Sequence, residues 1–233
     1  MAEELGAPPP VRGLFTSVAD GDLGRSVDPD LLRSRRERLA PGQWTWLDQV
    51  HGADVVVVDR PGDRAGSPAD AAVTAVPGAV LSVLTADCAP VLLWSLPADR
   101  TGPVVVGAAH AGWRGLLAGV LESCVSAMRE LGADGIDWRL GPCVSPAAYE
   151  FSDADLDLVA DRLGPDVRST TSEGAPALDT RAAVSAALGR VGVDAPAATP
   201  PVPCTALDPG WFSWRARRDT GRQAAVIWID GAA

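Results

Sequence analysis

The sequence predicts an α+β fold, a mixed α/β single domain of mixed β-sheets flanked by helices. Three observations lead there. Four apolar or β-branched runs of strand length fall between residues 55 and 109. One long 3.6-residue repeat follows them. Strands and helices then mix without the strict alternation of a doubly wound βαβ fold, and no linker composition divides the chain.

The elements follow in chain order. Residues 1–10 are acidic and proline-containing, and read as a flexible N-terminal tail ahead of a domain over 11–233. Leu31 to Leu39 is arginine-rich and suits a solvated helix. Val55 to Val58 is β-branched throughout and reads as a buried strand. Arg60 to Pro68 is a Pro/Gly-rich loop. Ala79 to Leu84, Val91 to Trp94 and Val104 to Ala109 are three further strands. After the turn Gly112-Trp113-Arg114-Gly115 the period changes. Leu116, Leu117, Val120, Leu121, Cys124, Val125, Met128 and Leu131 then share one face of an amphipathic helix. Gly132 supplies its stop. Trp138 to Leu140 is a short strand entering Gly141-Pro142. Ser152, three residues ahead of Asp155, caps a helix running through Arg162. Arg181 to Val191 is another helix, Ala195 to Pro203 a proline-rich connection, and Ala224 to Ile229 a last strand.

The whole composition narrows the function. At 233 residues, 47% apolar and 21% charged, the chain is long enough for a sizeable core and too apolar for disorder. A formal charge of -10 argues against a nucleic-acid partner, because phosphate backbones demand a cationic face. Every cation is an arginine, which reflects composition bias rather than chemistry. The N-terminus has neither a cationic start nor an apolar core, so it does not read as a secretory signal. No run approaches the ~18 apolar residues of a membrane span. Cys88, Cys124, Cys143 and Cys204 lack any framework spacing. They read as free thiols or ligands in a cytoplasmic protein.

Histidine is scarce enough to follow, since there are only two. His51 sits in Gln49-Val50-His51-Gly52, just before the Val55 strand. His110 ends the Val104 strand, and Cys88 lies just past the Ala79 strand. All three therefore occupy strand ends, where side chains project from a rigid sheet into a site. Two imidazoles and a thiolate suit zinc and leave a fourth position open. Taken singly, a strand-end His is more often structural and a lone Cys is more often packing. The spacing is not that of a compact ligand motif.

Five motifs occur in order: Gln-Val-His-Gly, Thr-Ala-Asp-Cys, His-Ala-Gly-Trp-Arg-Gly, Gly-Pro-Cys with the following Tyr149-Glu150, and Thr220-Gly221-Arg222-Gln223-Ala224. Together they resemble the YfiH family of laccase-domain or polyphenol-oxidase-like proteins, over about Phe15 to Ile229. The resemblance implies a fold akin to cysteine-hydrolase-like proteins. It also implies a purine nucleoside phosphorylase with adenosine deaminase and methylthioadenosine phosphorylase activities. Its metal would be zinc, bound by His51, Cys88 and His110. Two departures stand out. Trp214 and Ala216 replace a tyrosine and an arginine of the family's aromatic-Ser-Tyr-Arg-Arg segment. The region around Gly21 to Gly24 lacks the usual Ser-Leu-Asn-Leu-Gly. A multicopper oxidase needs on the order of ten histidines, so two exclude that chemistry, although copper could enter the single site.

For phosphorolysis, Arg114 beside the metal motif is the first phosphate ligand expected, then Arg222 and Arg215. For deamination by zinc-activated water, Asp87 and Glu150 are the expected proton shuttles. Asp87 could equally orient His51 or His110. The expected partners are a purine nucleoside and phosphate, with no membrane, no nucleic acid and no obligate protein partner. Two other readings stay open. A metal-free Cys88–His110 pair would make a hydrolase or amidase that edits peptidoglycan precursors. A non-catalytic protein would instead work through its eight tryptophans, among them Trp44 and Trp46 on one strand face and Trp211 and Trp214 beside arginines.

Overall fold

In the computed structural model, which describes residues 2–97, 102–196 and 201–231, apolar residues in the central strands alternate between two different cores. The chain begins with β1 (Glu3–Glu4), β2 (Val11–Phe15), α1 (Pro29–Leu39) and β3 (Gln43–Trp46). The central run is β4 (Val55–Val57), β5 (Ala71–Thr74), β6 (Ala79–Thr85), β7 (Ala89–Ser95) and β8 (Val105–Ala111). Then come α2 (Trp113–Ala118), α3 (Val120–Glu130), β9 (Ile136–Leu140) and α4 (Asp153–Leu163). The chain closes with β10 (Arg168–Thr170), β11 (Pro176–Leu178), α5 (Thr180–Gly189), α6 (Trp214–Arg217) and β12 (Gln223–Ile229).

Two five-stranded mixed sheets result, ordered β1-β2-β12-β6-β3 and β4-β5-β8-β7-β9. Leu81 and Val83 of β6 and Ile227 of β12 meet Leu92 of β7 and Val106 and Ala108 of β8 in the core between the sheets. The intervening residues point outward. Val80, Val226 and Trp228 pack under Leu32 and Leu39 of α1. Val91, Leu93, Val105 and Ala109 pack under Leu116, Leu121, Val125 and Met128 of α2 and α3, with α4 and α5 alongside. The order of layers is α-β-β-α, an α+β single domain. Strands buried on both faces read as continuous apolar runs, which is why these four could be located without a period-2 signal.

Several details depart from expectation. Within the segment read as a tail, Glu3–Glu4 pair with β2 as a short edge strand of the first sheet and Leu5 is buried. The Val55 run is also an edge strand and only half buried. The long amphipathic helix is two helices. They divide at Gly119, whose φ of 91° a residue with a Cβ would not readily adopt. Both helices still present the expected apolar face. The proline-rich connection lies partly outside the described residues. Among the described residues no helix is long and apolar enough to cross a membrane.

Candidate functional site

Register brings the site together. In the second sheet β8 lies antiparallel between β5 and β7, with Ala71 opposite Ala109 and Ala89 opposite Ala111. The residues just ahead of β5 and β7, Asp70 and Cys88, therefore emerge at the same sheet end as His110. The His110 amide donates to the Asp70 carbonyl at 2.7 Å. β4 runs parallel to β5 and starts beside it, with Val55 opposite Ala71, so the preceding loop delivers His51 to that end too. One nitrogen from each histidine and the Cys88 sulfur all lie within 4.8 Å of one another. The sulfur is 3.9 Å from His51 Nε2, and the two imidazoles meet edge to face at 4.8 Å.

Asp70 holds this arrangement. Its carboxylate, fully buried, accepts from the amides of Val50 (3.1 Å), His51 (3.0 Å) and Gly52 (2.8 Å). It also accepts from His110 Nδ1 at 2.8 Å, which leaves Nε2 of that ring for a ligand. The three amide bonds stabilise a backbone that His51 would otherwise avoid, at φ 59°. Burial pushes the Asp70 carboxyl up, but the His110, Gly52 and Val50 hydrogen bonds outweigh it and hold it below the usual carboxylate range. Burial pushes His110 down, yet Asp70 and Cys88 raise it to about 9. Burial pushes the Cys88 thiol up, and His110 and His51 bring it down to about 6. Gly112 supports the cluster from below. A Cβ there would sit 2.9 Å from His51 Cδ2 and 3.3 Å from the Cys88 sulfur.

The cluster floors a cleft of about 580 Å³ between the ends of the two sheets. Thr85 and Ala86 form one wall, and Trp214, Thr220 and Arg222 another. Gln49 joins the loop before β4 to β6, donating to the Leu84 carbonyl and accepting from its amide, both at 2.8 Å. Arg25, ion-paired with Asp48, closes the rim.

Other expected residues lie elsewhere. Asp87 does not orient either imidazole. It is buried at φ 101°, and its carboxylate accepts from Thr205 Oγ1 and from the Arg215 amide, each at 2.7 Å. The strand register turns it away from its neighbour Cys88 and toward the C-terminal segment. Arg114 is exposed, stacked 4.4 Å from the Trp113 ring, and is not among the residues that line the cleft. Arg215 is exposed over Tyr149 at 4.6 Å and donates to the carbonyl of Glu150, which is also exposed. Arg222 does line the cleft, with Nη1 donating to the carbonyls of Asp219, Thr220 and Gly221. Trp214, in place of the expected tyrosine, also lines it. Cys124 and Cys143 are buried with thiols pushed up to about 12 by burial, which is the behaviour of packing groups. Asp70 was missed. Its only sequence signal is one carboxylate heading the apolar run Ala71-Ala72-Val73, where a buried charge needs several donors.

The donor set fits a zinc-type metal. Zinc bonds of about 2.0–2.3 Å in a tetrahedron put donors roughly 3.3–3.6 Å apart, so small side-chain rotations from the observed spacing suffice. The Asp70–His110 contact matches the carboxylate–histidine support of such sites. The open side faces the cleft, as a catalytic rather than structural centre requires.

Fold and site together define a class, a two-sheet α+β protein with one open His–Cys–His cluster at the sheet ends. The chain belongs to the YfiH family, whose model, described as multi-copper polyphenol oxidoreductase laccase, matches residues 7–230. A purine nucleoside phosphorylase of Streptomyces coelicolor is 45% identical over 220 residues, covering 90% of this chain and 88% of that protein. Purine nucleoside phosphorylase YfiH of Escherichia coli is 34% identical, covering 95% and 88%. Among solved structures, a Neisseria meningitidis protein superposes with a TM-score of 0.80 at 29% identity over 99% of both chains. YlmD from Geobacillus stearothermophilus does so at 0.80 and 29%, covering 96% and 94%.

Proposed function

We propose that this chain is a zinc-dependent purine nucleoside phosphorylase that works in the cleft over His51, Cys88 and His110. The observation that carries the reading is the convergence of both histidines and Cys88 on the floor of that cleft, in a chain whose relatives bear this name. The substrates are adenosine and inosine in the cytoplasm, with adenosine deaminase and methylthioadenosine phosphorylase activities in the same place. His51, Cys88 and His110 would hold the metal, which would supply Lewis-acid chemistry there. The chain's own groups do the rest. Asp70 fixes the ring orientation of His110 and the His51 loop. Arg222 offers a guanidinium to phosphate. Trp214 gives a purine an apolar face. Asp48, the carboxylate among the lining residues, carries the proton in deamination.

The test is adenine release from adenosine by purified protein. It is expected only with phosphate present, and His110→Ala should lower it by roughly 1,000-fold or more. Release that ignores phosphate would make the enzyme a hydrolase.

A second reading rests on one observation. His110 lies between Cys88 and Asp70 in the order of a thiolate, a base and an orienting carboxylate. That arrangement suits a metal-free hydrolase or amidase. Metal analysis of protein purified without added zinc decides between the two. About one ion per chain, lost in Cys88→Ala, excludes the free thiolate.

A further inference from the structure

A second cleft, of about 730 Å³, opens between α1 and β3 on the outer side of the first sheet. Its character is unlike the chain as a whole. Against a net charge of -10, its lining carries Arg25, Arg33 and Arg36 and a single carboxylate, Glu37. Trp44 and Trp46 stand two apart on β3 and both line it, as strand alternation requires of residues i and i+2. Each indole has a guanidinium over its ring, Arg36 at 5.5 Å from Trp44 and Arg25 at 5.2 Å from Trp46.

Arg36 is the informative residue. Arg25 pairs with Asp48 and Arg33 with Asp30. Among the described residues no carboxylate lies within ion-pair distance of Arg36. Its Nε is buried and has no hydrogen-bond partner. Arg36 is partly buried and lines the cleft, so it is a cationic donor left there without an anionic partner, which is costly for a fold to retain. Burial also draws its pKa below the ordinary arginine value. Such a donor beside stacked indoles matches a ligand that is flat at one end and anionic at the other. The planar arginine fork binds two oxygens of a phosphate, and bases stack on tryptophan and guanidinium planes alike.

We propose that this cleft is a second ligand site, for a mononucleotide, with the base on the tryptophan–arginine platform and the phosphate on Arg36. The site stands apart from the His–Cys–His cluster, although Arg25 lines both clefts.

The test follows the tryptophan indole N–H signals in two-dimensional nitrogen–proton spectra during titration with AMP, with adenosine and with inorganic phosphate. AMP should move the Trp44 and Trp46 signals saturably, about tenfold or more tighter than adenosine or phosphate alone. Arg36→Gln should weaken AMP by a similar factor with the other indole signals unchanged, which also reports that the variant is folded. Trp46→Leu should weaken AMP and leave phosphate binding alone. Three outcomes would overturn the proposal. AMP moves only the Trp214 signal, from the catalytic cleft. Phosphate alone binds as tightly as AMP. AMP affinity is the same in Arg36→Gln.

Discussion

Two buried aspartates flank the His–Cys–His cluster, and they do opposite things. Asp87 is the sequence neighbour of Cys88, yet its carboxylate is spent on Thr205 and the Arg215 amide, anchoring the C-terminal segment. Asp70 is 19 residues from His51 and 40 from His110, yet it binds the loop of one and the ring of the other. The difference teaches that support for a ligand comes through strand register. β5 and β8 put Asp70 opposite His110, whereas the turn between β6 and β7 points Asp87 away. Paired substitutions test this most sharply. Asp70→Asn should lower zinc affinity by about 10- to 100-fold, because an amide has one acceptor oxygen where the carboxylate uses both, so the His110 ring and the His51 loop cannot both be held. Asp87→Asn should leave zinc affinity unchanged and cost about 1–2 kcal/mol of stability, since an amide keeps one acceptor oxygen where the carboxylate uses two. Competition with a chromogenic chelator measures the first effect and denaturant unfolding the second. Equal losses of zinc affinity in both variants would end the distinction.

Gly112 sharpens the comparison from the other side of the cluster. It sits under both His51 and Cys88, so a methyl group there must push the His51 ring, at 2.9 Å, or the sulfur, at 3.3 Å. Asp70 holds only the His51 backbone and leaves its ring free to give way. Gly112→Ala should therefore lower zinc affinity about tenfold. Stability without metal should change little, since His51 is exposed. A large loss of metal-free stability would show that the neighbour that gives way is the strand rather than the ring.

The legible parts of this chain were those whose signal is local. The four central strands, the capped helix at Ser152 and the last strand lay close to where the sequence put them, because apolar runs and capping are short-range. The strands missed, such as β2 (Val-Arg-Gly-Leu-Phe) and β5 (Ala-Ala-Val-Thr), carry a charge, glycines or alanines that dilute the signal. The convergence of His51, Cys88 and His110 was legible because histidine is so scarce and all three sit at strand ends. Their supporting residues were not. Asp70 is one acid among 30 Asp and Glu, and only long-range pairing distinguishes it. Arg114 and Asp87 were favoured by adjacency along the chain, a weak guide at a turn where successive side chains diverge.

The arginines extend the same contrast with the smallest effects. Arg114 follows the metal motif, but its guanidinium stacks on Trp113 at the surface. Arg222 comes from the far end of the chain, yet lines the cleft, where the carbonyls of its own loop restrain it. A pre-positioned cation gains more from phosphate than an exposed one, because less side-chain freedom is lost on binding and less water screens the charge. Arg222→Ala should therefore raise KM for phosphate by about five- to tenfold, equivalent to about 1–1.4 kcal/mol. Arg114→Ala should change it by less than about twofold, since a surface cation contributes little. Steady-state kinetics at saturating nucleoside, with phosphate varied, separate the two. An effect of Arg114→Ala as large as that of Arg222→Ala would mean that the Arg114 side chain, at the start of α2, swings toward the cleft when substrate binds, making position along the chain the better guide for this residue.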